Sequence, residues 1–183
     1  MKQVLLLCSL LLCLQSFSQN ANLTVVMIRH GEKNDATGNL SCQGLNRALG
    51  LPAVLNAKFP RPSAIYVPSL SDGKETGHAR MFQTVTPFAV QDSLAINSSF
   101  KLSKDSAVAQ EVMTKSGVIL LVWEHTNIPS IAKALGIANP GPWVNKDFDS
   151  IWIVTYSRDK SGKWIAALKK DKEGLKPGPT CNF

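Results

Sequence analysis

The chain has 183 residues, of which 44% are hydrophobic, 18% charged and 7% aromatic. These proportions exclude a collagen-like, low-complexity or disordered protein and are typical of one globular domain. Lysine and arginine total 20 against 13 acidic residues, which gives a net charge of +7. A basic chain can bind nucleic acid, a membrane surface or a small anion, and the pattern of residues has to distinguish among these.

The first 18 residues have the layout of a secretory signal peptide. One positive charge precedes an apolar run over residues 4–14, and a polar stretch with small residues then predicts cleavage after Ser18. The apolar run is too short to span a bilayer, which needs roughly 20 residues. A lipoprotein that begins at Cys13 is less favoured, because Leu12 is larger than such a site prefers. We expect a secreted or periplasmic domain of residues 19–183 with net charge +6.

Cleavage would leave two of the four cysteines, Cys42 and Cys181, in an oxidising compartment. They can form one bridge, which would tie the end of the chain to the first predicted helix. Two unpaired thiols are the alternative, and the sequence does not choose between them.

Strands alternate with helices along most of the chain, as judged from β-branched apolar runs and from apolar residues at helical spacing. The predicted elements in order are a strand over 24–29, a helix over 42–57 capped by Ser41, a strand over 63–67, a helix over 78–90, a helix over 104–115 capped by Ser103, a strand over 117–123, a helix over 128–135, and a hairpin of strands over 150–157 and 163–168. Pro52 is expected to kink or split the first helix. The order predicts an α/β three-layer sandwich in a single domain, with a mostly parallel sheet and an antiparallel edge.

The chain has three histidines, and two of them follow predicted strands. His30 comes directly after the first strand, and His125 comes after the most apolar one. Ligands of open α/β sheets bind at the carboxyl ends of the strands, so both histidines are candidate site residues. The third, His78, opens the helix that carries Arg80 and is expected to face solvent or to support the site.

Residues 26–33, with the sequence VMIRHGEK, resemble the signature of the histidine phosphatase superfamily, which includes the cofactor-dependent phosphoglycerate mutases. Three further segments are similar to that family in the same order: Leu-Ser-x-x-Gly-x-x-Arg-Ala at 40–48, Ala-Arg-x-x-Gln-Thr at 79–84, and Val-Trp-Glu-His at 122–125. Four ordered matches are far more specific than Arg-His-Gly alone. The resemblance implies a phosphoglycerate mutase-like fold and phosphoryl-transfer chemistry.

The resemblance also implies a role for each matching residue. His30 is the nucleophile and forms a phosphohistidine, because a neutral imidazole keeps a lone pair that can attack phosphorus. Arg29 and Arg80 are phosphate ligands, since each can present a planar fork to phosphate oxygens. His125 holds a phosphate oxygen and stabilises the transition state. Gly31 is expected to keep the backbone close to the nucleophile, and the resemblance implies no cofactor.

The proton donor to the leaving group departs from the family pattern. Many members take it from a glutamate between the arginine-bearing helix and the strand before the second histidine, and a distant branch uses an aspartate directly after that histidine, where this chain has Thr126. Glu124 and Glu32 are spare candidates, and Glu124 is favoured because it adjoins His125, although alternation along the strand could turn it away. The acids in the intervening segment are Asp92, Asp105 and Glu111. If no acid acts, the substrate has a good leaving group, such as a phosphohistidine, an acyl phosphate or an aryl phosphate.

Other partners are less favoured. The histidines are not closely paired and no HExxH or CxxC motif is present, so no metal site is predicted. The lysines are scattered, which argues against nucleic acid. Trp143 is the best candidate for an aromatic residue that faces substrate.

The sequence therefore predicts a phosphatase that acts on a phosphorylated small molecule or a phosphoprotein, through a phosphomonoester or phosphohistidine group. A phosphomutase, or a non-catalytic phosphate- or phosphoprotein-binding module of the same fold, is the alternative. The sequence predicts neither the substrate nor the oligomeric state.

Overall fold

A computed structural model describes residues 22–70 and 77–181, so the signal peptide prediction lies outside the described residues. Its elements are β1 (Leu23–Arg29), α1 (Cys42–Lys58), β2 (Ala64–Pro68), α2 (Ala79–Gln91), β3 (Ile96–Phe100), α3 (Asp105–Met113), β4 (Gly117–Trp123), α4 (Ile128–Ala134), β5 (Ser150–Arg158) and β6 (Trp164–Lys172). Among these helices, none is both long and apolar enough to cross a bilayer.

The strands in the described part of the chain form one six-stranded sheet in the order β3-β2-β4-β1-β5-β6. The first four in that order run parallel to one another, whereas β5 and β6 are antiparallel to their neighbours. This confirms the α/β fold with a mostly parallel sheet and an antiparallel edge. In the centre of the sheet, Arg29 of β1 is paired with Trp123 of β4, so the two strands end side by side.

Both faces of the sheet are covered, because alternate side chains of the central strands enter two separate cores. Val26 and Ile28 of β1 pack with residues of α1 and α2. Val25 and Met27 pack on the opposite face with residues of α3 and α4. The alternation continues past the strand ends and decides which face each functional side chain occupies.

Two helix predictions are wrong in detail. The first helix is not split at Pro52, since α1 is continuous from Cys42 to Lys58. It buries Leu51 and Leu55, and this packing outweighs the backbone hydrogen bond that Pro52 cannot donate. The third helix begins at Asp105, and its N-cap is Lys104 without a side-chain hydrogen bond, so Ser103 is not the cap.

Two strands also differ from the prediction. β3 was not expected, because it is a polar edge strand whose residues are mostly half-buried and lack an apolar run. β6 extends through Lys172 rather than ending at residue 168. Charged residues can continue an edge strand, because one side of such a strand is open to water.

The C-terminal segment lies along α1. Asn46 donates hydrogen bonds to the carbonyls of Gly178 and Thr180, at 2.9 and 2.8 Å. Cys42 and Cys181 form a disulfide across 139 positions, so of the two alternatives the structure has the bridge. Cys181 is therefore fixed to the first turn of α1.

A close backbone contact holds the loop after β1 against α1. A Cβ atom on Gly44 would lie 2.1 Å from the carbonyl oxygen of Glu32, and one on Gly31 would lie 2.9 Å from the carbonyl oxygen of Gly44. Glycine at position 31 therefore leaves room for the backbone of α1 at Gly44.

Gly44→Ala is expected to lower the free energy of unfolding by about 2 kcal/mol or more, because the added methyl group collides with backbone that cannot give way. Denaturant unfolding would measure the change. Gly178→Ala is the matched control, since a Cβ atom at that position would have no neighbouring atom within 4 Å among the described residues. Equal stability of the two variants would contradict the importance of the close contact.

Candidate active site

The candidate site lies where β1 and β4 end next to each other. His30 is the first residue after β1, and its backbone N–H donates to the carbonyl of Trp123 at 3.2 Å. Glu124 and His125 follow β4 directly. His30 and Glu124 continue the alternation of Ile28 and Val122, so both lie on the face covered by α1 and α2.

The His30 ring is buried and has a defined tautomer. Only 1% of the residue is exposed, and Nδ1 lies 2.7 Å from the carbonyl oxygen of Gly31. A carbonyl can only accept, so Nδ1 carries the proton and Nε2 of the neutral ring keeps its lone pair. Arg80 Nε donates to Nε2 at 3.1 Å, which requires that nitrogen to be unprotonated. This is the form of imidazole that can act as a nucleophile.

Burial and the neighbouring charges shift the pKa of His30 in opposite directions. Burial lowers the pKa of His30 below its ordinary value of 6.5, because the charged ring is poorly solvated. The Glu124 carboxylate raises the pKa, and the Arg80 charge lowers it. The net effect is a lowered pKa, so the ring is mostly neutral at pH 7.

A contact through Thr84 links the Arg80 turn of α2 to the loop after β1. It lies in the first turn of α2, and Thr84 follows one turn later on the same side. The buried Thr84 hydroxyl donates to the Arg80 carbonyl at 2.7 Å and accepts from the Gly31 N–H at 2.9 Å. No role for Thr84 was predicted from the sequence, although it belongs to the segment 79–84 that carries the resemblance.

Glu124 turns into the site and contacts the other functional side chains there. Arg80 Nη2 donates to one carboxylate oxygen, and both oxygens lie 3.3 Å from His30 Nε2. Burial alone would raise the pKa of Glu124, but its interactions with His30 and Arg80 outweigh burial and hold the pKa well below the usual range. We attribute the ionised state mainly to Arg80, because the His30 ring is neutral.

His125 completes the cluster. Its Nδ1 donates to Glu124 Oε1 at 2.5 Å, and its ring is half-buried. The structure thus brings together four of the five predicted site residues: His30, Arg80, Glu124 and His125.

Arg29 is the fifth predicted residue, and the structure places it differently. Alternation along β1 turns it toward the other face, where its guanidinium stacks on the Phe148 ring at 3.8 Å and donates to the carbonyl of Asn145 at 2.5 Å. Its buried Nε has no hydrogen-bond partner among the described residues. Its role as a phosphate ligand stays a prediction, for which Nε is the available donor.

The other candidate acids have partners elsewhere. Both carboxylate oxygens of Glu32 accept from Arg47, which also binds the buried Glu173. The acids of the intervening segment contact residues of their own surroundings: Asp92 with Asn56, Asp105 with Asn127, and Glu111 with Lys115 and Tyr66. Glu124 is therefore the carboxylate that the structure places against His30.

A cavity of about 640 Å³ opens beside His125. Its wall includes Lys133, Asn139 and Asn145. Trp143 also lines it, although its ring is mostly buried against Trp152 at 5.1 Å between centroids. Of the four clustered side chains, His125 is the one that lines this cavity.

His78 lies at the N-cap of α2, half-buried beside the cluster. Its Nδ1 is buried and has no hydrogen-bond partner in the described part of the chain. Burial, together with the charge of Arg80, lowers its pKa below 6.5. The structure therefore does not place it as a fully solvent-facing residue.

The cluster could also be considered as a metal site. Donor atoms of His30, Glu124 and His125 lie within 4.8 Å of one another, so the fold pairs histidines that are far apart in sequence. Two imidazoles and a carboxylate suit several transition metals. However, Arg80 donates to two of these three side chains and places a positive charge among them, which favours an anion over a cation.

Comparison with solved structures identifies the fold. A mycobacterial glucosyl-3-phosphoglycerate phosphatase, solved with inorganic phosphate, matches at 14% identity with a TM-score of 0.54, over 84% of this chain and 99% of that one. The protein histidine phosphatase SixA, solved with tungstate, matches at 16% identity with a TM-score of 0.52, over 82% and 97%. The chain has the fold of histidine phosphatases.

A phosphoglycerate mutase from Plasmodium falciparum has the same fold, at 13% identity and a TM-score of 0.52, over 81% of this chain and 90% of that one. No protein-family model matches the chain, and no curated protein matches it significantly in sequence. At these identities the likeness concerns the fold alone.

Nuclear magnetic resonance titration of the His30 ring is expected to give a pKa below 6.5 and the Nδ1–H tautomer, because burial and Arg80 disfavour the charged ring. Glu124→Gln should lower this pKa further, since it removes the carboxylate that raises it. The spectrum of His78→Asn lacks one of the three histidine signals and would help to assign the signals of His30. A His30 pKa above 6.5, or one that rises in Glu124→Gln, would contradict the account.

Proposed function

We propose that the protein is a phosphatase that hydrolyses a phosphomonoester or phosphohistidine-type substrate through a phosphohistidine on His30. The observation that carries the proposal is the geometry of His30 Nε2. The hydrogen bond from Nδ1 to the Gly31 carbonyl leaves this nitrogen proton-free and turns it toward Arg80 and Glu124. The fold shared with histidine phosphatases supports the same chemistry.

In the first step, Nε2 attacks phosphorus, and the bond from phosphorus to the leaving group breaks. Arg80 and His125 supply donors for the phosphoryl oxygens, whose charge has to be neutralised in the transition state. The leaving group extends into the cavity beside His125. Because the Glu124 carboxylate is ionised, it cannot donate a proton unless it first takes one up, which favours leaving groups that depart as stable anions or as neutral imidazole.

In the second step, water attacks the phosphohistidine, the bond from phosphorus to Nε2 breaks, and inorganic phosphate forms. An ionised carboxylate next to Nε2 can accept the proton that this water loses. Glu124 therefore fits the role of base in this step better than the role of acid in the first.

We place the protein in a secreted or periplasmic location. The signal-like N-terminus and the disulfide between Cys42 and Cys181 support this location. The substrate is then a phosphorylated small molecule or a phosphoprotein outside the cytoplasm.

One observation favours a second candidate function, a non-catalytic oxyanion-binding module. The Glu124 carboxylate next to His30 is ionised and lacks the proton that a leaving group would need, whereas Arg80 and His125 still supply donors for an oxyanion. Binding of phosphate without turnover of an aryl phosphate would favour this module.

His30→Asn is expected to reduce turnover of 4-nitrophenyl phosphate by roughly 1,000-fold or more, because the amide cannot form the phosphorylated intermediate. Release of nitrophenolate measures the rate. Circular dichroism and the melting temperature would establish that the variant is folded. A folded variant with near-normal turnover would rule out His30 as the nucleophile.

A further inference from the structure

Glu124 receives the same hydrogen-bond donors that a phosphoryl group needs. Arg80 donates to one carboxylate oxygen and His125 Nδ1 donates to the other, while both oxygens contact His30 Nε2. The side chain is only 13% exposed, so these three residues supply most of its polar surroundings. The carboxylate and a phosphoryl group are both compact oxyanions, and the cluster already holds one of them.

The two anions cannot occupy the cluster in the same way. Attack by Nε2 requires phosphorus at roughly 3 to 3.5 Å from the nitrogen. The Glu124 oxygens already lie at 3.3 Å. Overlap would force the carboxylate to move, and even a shifted carboxylate would repel a phosphate dianion across a partly buried site.

We propose that Glu124 is an intramolecular competitor of phosphate, which weakens binding of oxyanions at the active site and speeds release of the phosphate product. The inference rests on the proposed function in one respect, that the donors around His30 are the phosphate site. A substrate must displace the carboxylate from Arg80 and His125. After hydrolysis, the return of the carboxylate to the same donors expels inorganic phosphate.

The same contact sets how much binding free energy a substrate has to supply from elsewhere. A phosphate ion that displaces the carboxylate only takes over its hydrogen-bond donors, so the net gain in binding free energy is small. Substrates that also fill the cavity beside His125 gain additional contacts that the carboxylate cannot offer. Displacing the carboxylate costs the same free energy for either ligand, so the contacts in the cavity distinguish a whole substrate from free phosphate.

Equilibrium titration with inorganic phosphate tests the proposal. Glu124→Gln removes the charge and keeps the size of the side chain, and Glu124→Ala also opens the space. Both are expected to bind phosphate at least tenfold more tightly than the unmodified protein. Glu111→Gln is the matched control, because it makes the same change in net charge at a partly exposed position and should leave the affinity unchanged.

Unchanged or weaker phosphate binding in both folded Glu124 variants would overturn the proposal. So would an equal gain in Glu111→Gln, since the effect would then come from net charge. The inference can fail while the proposed function stands, if the unmodified enzyme turns over aryl phosphate and the variants bind phosphate no more tightly. Conversely, tighter binding in the variants of a protein without turnover would support the competitor and overturn the phosphatase.

Discussion

The parallel pairing of β1 with β4 is the constraint on which the site depends. It sets Arg29 of β1 opposite Trp123 of β4, so the residues that follow, His30 and Glu124, lie side by side. The hydrogen bond from the His30 N–H to the Trp123 carbonyl continues the pairing beyond β1. Because both strands are buried on both faces, a slip in register would expose two cores at once. His30 and Glu124 are therefore adjacent for reasons of folding as well as chemistry.

The site balances one positive side chain against one negative side chain around a neutral ring. Arg80 holds Glu124 ionised and donates to the unprotonated nitrogen of His30, while burial disfavours a charge on that ring. A phosphoryl group entering the cluster would change this balance, because it competes with Glu124 for Arg80. Proton transfer and anion binding are consequently linked through the same carboxylate.

Much of this could be predicted from the sequence. Apolar runs and helical spacing located nine of the ten elements in the described part of the chain, and the missed one, β3, is a polar edge strand without an apolar signal. The histidines at strand ends predicted the site. The direction of Glu124 could not be predicted, because it depends on the face that the chain presents after β4 ends, and the contact of Arg29 with Asn145 joins positions 116 residues apart. The role of Thr84 depends on a contact with Gly31, 53 positions away, that no local pattern encodes.

The most direct test of the central claim is detection of the phosphorylated residue during turnover. The protein would be mixed with a labelled aryl phosphate, denatured rapidly at alkaline pH to preserve phosphohistidine, and mapped by mass spectrometry. The account predicts a phosphoryl group on His30, and none on His78 or His125. A rapid hydrolysis with no phosphorylated His30, or with the label on another residue, would contradict it.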